Sequence, residues 1–85
     1  MNPFTVDWSD GAIDDLADSW NRAPDRKAVT VAENVIEQRL ARDPVGNADY
    51  MKEGLYRLYE PPLLVFDTVD TVQRSVEVVQ VEYRP

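Results

Sequence analysis

Hydrophobic and polar positions along the chain fall into two periods. Phe4, Val6 and Trp8 alternate with Thr5 and Asp7, which predicts a half-buried strand over Pro3 to Trp8. From Ser9 the period lengthens: Ala12, Ile13, Leu16, Ala17 and Trp20 recur at helical spacing, predicting a helix whose stripe faces a sheet. Ser9 is placed to cap its N-terminus, and Asp10 stands in the first turn, where the helix dipole favours negative charge. Ala23 and Pro24 end it. Asp25 then caps a second helix running to about Arg42, with Ala28, Val29, Ala32, Val35, Ile36 and Leu40 as its apolar stripe.

The alternating pattern returns after Glu53. Asp43 to Glu53, with Pro44, Gly46, Asn47 and Asp49, is expected to be a loop. Glu53 to Glu60 sets Leu55, Arg57 and Tyr59 against Tyr56, Leu58 and Glu60; both sides are largely apolar, which suggests a central strand. Tyr56 and Leu58 are expected to face the helices and Arg57 the opposite side. Pro61 and Pro62 close that strand, because proline donates nothing to a ladder. Leu63 to Val69 is the next strand, Asp70 to Arg74 a turn, and valine-rich Ser75 to Tyr83 the last strand. The order is β-α-α-β-β-β: an α+β fold with two N-terminal helices on one face of a small, mainly antiparallel four-stranded sheet. Residues 1 to 85 read as a single domain.

Composition narrows the chemistry. The chain has 85 residues, no cysteine and no histidine, which removes disulfides, thiol nucleophiles, imidazole or thiolate metal sites and histidine-based triads. Chemistry is left to carboxylates, Tyr, Ser, Lys and Arg. The net charge of −7 argues against a polyanionic ligand, whose phosphates need clustered Lys and Arg, and favours basic partners. No stretch reaches the roughly 18 apolar residues of a membrane span, and the start of the chain has no leader-like pattern. A soluble, cytoplasmic protein with no membrane association is expected.

Two groups of residues are candidates for function. Asp10, Asp14 and Asp18, at i, i+4 and i+8 of the first helix with Asp15 beside them, form an acidic face. Spaced along one exposed helix they do not wrap a cation, so no metal and no cofactor is expected; they suit docking of a basic partner. Arg57, with Tyr56 and Tyr59, and the terminal pair Tyr83 and Arg84 form the second group. If their strands pair, Arg57 and Arg84 meet on a sheet face and could hold a phosphate or carboxylate. Alternatively, Arg57 pairs with a nearby Asp or Glu and the tyrosines pack.

These features together resemble the RelE/ParE superfamily of small type II toxins, of which this chain would be an acidic member. The resemblance rests on Val6-Asp7-Trp8 ending the first strand and an Asp-Leu-Ala-x-x-Trp helix at Asp15 to Trp20. It rests also on Leu40 with Asp43 and Pro44 closing the second helix, Tyr56-Arg57-Leu58, Pro62-Leu63 opening a strand, and a last strand ending in Tyr83-Arg84. It implies a toxin neutralised by a cognate antitoxin that wraps its surface. In the nuclease branch, which cleaves messenger RNA on the ribosome, sheet-face arginines hold phosphates; carried over, Arg57 and Arg84 match those arginines and Tyr83 the residue before the closing one. The ParE branch acts on DNA gyrase by protein contact.

The departures weigh against RNA cleavage. From Glu53 to Pro85 there are three arginines against six carboxylates, and the histidine that some members use is missing. A non-catalytic binding module, docking a basic partner through Asp10, Asp14 and Asp18 or through the sheet face bearing Tyr59, is the alternative.

Overall fold

The structure, a computed structural model, describes residues 3–46 and 48–85. Its elements run β1 (Thr5–Trp8), α1 (Asp10–Arg22), α2 (Arg26–Arg42), β2 (Asp49–Lys52), β3 (Leu55–Glu60), β4 (Leu63–Asp70) and β5 (Ser75–Tyr83). Both expected helix caps form: Ala12 N–H donates to Ser9 Oγ at 3.1 Å, and Ala28 N–H to Asp25 Oδ1 at 3.2 Å.

The sheet order is β1-β5-β4-β3-β2. β1 lies parallel to β5 and the other pairs are antiparallel, so the two helices pack on a mixed, mostly antiparallel sheet. The α+β arrangement is as expected, with two amendments. The predicted loop contains a fifth strand, β2, whose four residues are all exposed; too short to show a period, it reads as loop in sequence and gains its order by pairing Asp49 with Arg57 and Tyr50 with Tyr56. Asn47 of that loop lies outside the described residues. With β2 on the edge, β4 and not β3 is the middle strand.

The core lies between the helices and one face of the sheet. Val29, Ala32, Ile36 and Leu40 of α2 meet Leu58, Leu63, Val65, Val76, Val78 and Val81, all buried. Each such aliphatic side chain contributes about 1.5–3 kcal/mol by leaving water. Leu58 and Tyr56 share the inner side of β3, as expected. Tyr56 meets Tyr50 edge-on at 5.5 Å between ring centres.

α1 is rotated from its predicted orientation. Ala12 and Ser19 are buried, whereas Ile13 is 51% and Trp20 40% exposed, and Ala17 is exposed as well. Ser19 can be buried because its hydroxyl donates to the Asp15 carbonyl at 2.9 Å, leaving no donor unsatisfied. Trp20 is covered in part by the Arg26 guanidinium, 4.4 Å from its ring centre. Among the described residues no helix is long and apolar enough to cross a membrane.

Candidate functional site

The open face of the sheet is built by strand registry. Arg57 pairs with Phe66 and Tyr59 with Leu64 across β3 and β4, while Phe66 pairs with Gln80 and Leu64 with Glu82 across β4 and β5. Residues opposite one another share a face, so Arg57, Tyr59, Leu64, Phe66 and Glu82 all point away from the helices. Arg84 follows Glu82 by two residues and points the same way, its N–H held by the Pro62 carbonyl at 2.7 Å. Arg57, Tyr59, Leu64 and Arg84, with Asp49 at the edge, line one shallow concavity of about 460 Å³. The two arginines named from sequence therefore converge.

Both arrive already occupied. Arg57 Nη2 lies 3.3 Å from Asp49 Oδ2, and Arg84 donates through Nε and Nη2 to the same Glu82 oxygen, at 3.0 and 2.7 Å. Tyr59 Oη donates to the Arg84 carbonyl at 2.8 Å, tying β3 to the end of the chain. Two guanidinium groups thus face two carboxylates, and the concavity carries no net charge from them. Neither Asp49 nor Glu82 was among the residues singled out from sequence. The signal available was the alternative of a carboxylate partner for Arg57, and Glu82 standing two residues before Arg84 on one strand.

Tyr83 does not join this group. It points to the helix side with Leu63, its register partner, packs half-buried against the core, and has the Arg22 guanidinium 6.0 Å above its ring. An arginine and the residue before it on one strand face opposite ways, so Tyr83 and Arg84 cannot act together on a ligand at the open face.

Asp10, Asp14 and Asp18 of α1 are exposed, and Asp18 pairs with Arg22 at 3.8 Å. Among the described residues no three metal-ligating side chains gather where an ion could sit. Asp15 turns instead towards the sheet, where its Oδ2 accepts the Val81 N–H at 3.1 Å.

One titratable group escaped the sequence reading. Asp67, on the inner face of β4, is wholly buried between register partners Tyr56 and Val78, and neither carboxylate oxygen has a hydrogen-bond partner. Burial pushes its carboxyl up to about 7, because the charged form loses its water there. Its position two and four residues from Val65 and Leu63 gave the signal, since residues of one parity share a strand face.

No protein-family model matches the sequence, and no curated protein does. Solved structures give the likeness. The chain is similar to the toxin-antitoxin complex RelBE2 from Mycobacterium tuberculosis, with a TM-score of 0.82 and 17% identity, over 99% of this chain and 94% of that one. It is similar to the chromosomal ParDE system from Pseudomonas aeruginosa, with a TM-score of 0.64 and 15% identity, over 96% and 97% of the two chains. The archaeal RelE-RelB complex from Pyrococcus horikoshii gives 0.62 and 13%, over 96% of each. At these identities the likeness concerns the fold: this chain has the RelE/ParE-like arrangement of two N-terminal helices packed on a mixed, mostly antiparallel sheet.

Proposed function

We propose that this protein is the toxin component of a toxin-antitoxin pair, neutralised by a cognate protein partner, and that it acts through protein contact and not by cutting RNA. The fold likeness supports the first part, because RelBE2, ParDE and the archaeal RelE-RelB complex, three of the structures it resembles, are toxin-antitoxin systems. The second part is carried by one observation: each arginine of the open face is already paired with a carboxylate. A phosphate would have to displace Asp49 and Glu82 in the field of a chain with net charge −7. Tyr83, on the other face, is not placed to move a proton there. Arg57, Tyr59 and Arg84 are then contact residues, presenting an aromatic and charge-paired surface to a protein.

The test is cleavage of messenger RNA in a translating extract, comparing the wild type with Arg57→Ala and Arg84→Ala. No cleavage by any of the three supports contact-based action. Cleavage by the wild type that both substitutions abolish would overturn it.

A further inference from the structure

The apolar side of α1 is wider than the core beneath it uses. Ala12 and Leu16 pack inward, whereas Ile13, Ala17 and Trp20, at i, i+4 and i+7, form one line along the helix that stays exposed. Single exposed apolar residues are ordinary on a protein surface; three in a line make a surface that another side chain layer can cover. The line runs beside α2, whose Arg26 lies over its Trp20 end.

Carboxylates border the line on both sides. On α1, Asp10 and Asp14 each stand three residues before one of its members, Ile13 and Ala17, and both are exposed. On α2, Arg26, Glu33 and Glu37 share one side of the helix at i, i+7 and i+11. Two contacts turn that side towards α1: Arg26 lies over Trp20, and Glu37 Oε1 accepts the indole N–H of Trp8, at 2.8 Å, where β1 leads into α1. Four other carboxylates of the chain are matched by an arginine, Asp18 by Arg22, Asp49 by Arg57, Glu60 by Arg39 and Glu82 by Arg84. Among the described residues no Lys or Arg stands within salt-bridge distance of Asp10, Asp14, Glu33 or Glu37. Burial and the neighbouring Glu37 charge hold the Glu33 carboxyl above its ordinary value, so a cation brought there is favoured.

We propose that this ridge docks an amphipathic helix of a protein partner. The partner's apolar side lies on Ile13, Ala17 and Trp20, and its lysine or arginine residues reach Asp10 and Asp14 on one side and Glu33 and Glu37 on the other. This rests on the reading that the chain works through a protein partner, and it says which surface holds that partner. A helix is selected over a strand because the backbone of α1 is hydrogen-bonded within the helix, so the ridge offers side chains alone, at a spacing that a helix laid alongside repeats. The four unmatched carboxylates select basic residues beside the apolar ones. A second copy of this chain would set the same carboxylates and a net charge of −7 against them.

The probe is a peptide of about 18 residues, five helical turns, with leucine at i, i+4, i+7 and i+11, lysine flanking the leucines and alanine elsewhere. It is titrated into isotope-labelled protein and followed by amide and indole shifts. Shifts at Ile13, Ala17 and the Trp20 indole are expected. Binding should be weaker by about tenfold or more for the same peptide with glutamate in place of lysine, and for a scrambled order of the same composition that leaves no apolar side. Ile13→Ser combined with Trp20→Ser should weaken binding by about tenfold or more, as should Glu33→Gln combined with Glu37→Gln, which keeps an accepting oxygen for Trp8. Equal binding by the scrambled or the glutamate peptide, shifts confined to the sheet face around Arg57 and Tyr59, unchanged binding by either double variant, or no binding at millimolar peptide would each overturn the proposal. The glutamine variant keeps the test decisive should the serine variant fail to fold. Growth is not read here: a chain that a partner neutralises but that fails this test loses the ridge and keeps the partner. A chain that passes it and harms no cell is a helix-binding protein and not a toxin.

Discussion

Arg57 and Asp49 face each other across the short ladder between β3 and β2, guanidinium Nη2 to carboxylate Oδ2 at 3.3 Å. The side chains are 42% and 75% exposed, so the pair adds at most about 1 kcal/mol to stability. Its effect is on what the face can bind. Asp49→Asn combined with Glu82→Gln should leave folding nearly unchanged and free both arginines. Binding of a short single-stranded RNA, measured against salt, should then appear, with a slope of log affinity on log salt up to about 1.4, near 0.7 for each freed arginine. Equal binding before and after the substitutions would mean that the carboxylates do not decide the ligand.

Asp67 predicts an unusual dependence of stability on pH. Below about pH 4 the carboxyl is protonated in the folded and unfolded chain alike. Between its ordinary value of 3.8 and its folded value of about 7, the folded chain binds the extra proton, so stability falls as pH rises through this window and levels off above it. At about 1.4 kcal/mol per pH unit, the loss is of the order of 4 kcal/mol. Asp67→Asn should abolish this component and exceed the wild type in stability at pH 8, as read by denaturant unfolding at several pH values. Parallel pH profiles for the two proteins would contradict it.

Asp15 holds the uncovered part of β5 through the Val81 amide. Asp15→Ala leaves that N–H without its partner and should cost about 1–3 kcal/mol in unfolding free energy, with faster hydrogen exchange at Val81. Asp15→Asn, which keeps an accepting oxygen, should restore most of both. A loss of the same size for both variants would assign Asp15 a role other than this hydrogen bond.

Gly54 joins β2 to β3 with φ of 70°, in the left-handed region, and a β-carbon there would meet nothing within 4 Å. The cost of Gly54→Ala is therefore conformational alone, about 1 kcal/mol, and should appear as a lower thermal midpoint with binding properties unchanged. A neutral outcome would show that the turn relaxes.

How much of this was legible depended on the range of the interaction. Ser9 and Asp25 announced both helices because a cap is decided within four residues. The β3–β4 hairpin was legible in Pro61 and Pro62. β2 was not, since its order comes from β3 and not from any pattern in Asp49–Lys52. That Arg57 and Arg84 line one concavity depends on β4 lying between their strands, which no local pattern states. The rotation of α1 had a local cause that hydrophobicity hides: Ser19 satisfies its own hydroxyl and so takes the buried place expected of Trp20. Tyr83 was grouped with Arg84 because they are neighbours in sequence, and strand alternation separates them. The same alternation, applied to Leu63 and Val65, would have exposed Asp67 as a buried carboxyl.

The role proposed for this chain is that of a toxin held in check by a protein partner. Its most direct measurement is growth of a bacterial culture in which the chain is induced alone and together with the product of the reading frame adjacent to its gene. Arrest in the first culture and recovery in the second are expected. Unimpaired growth on induction of the chain alone would contradict it.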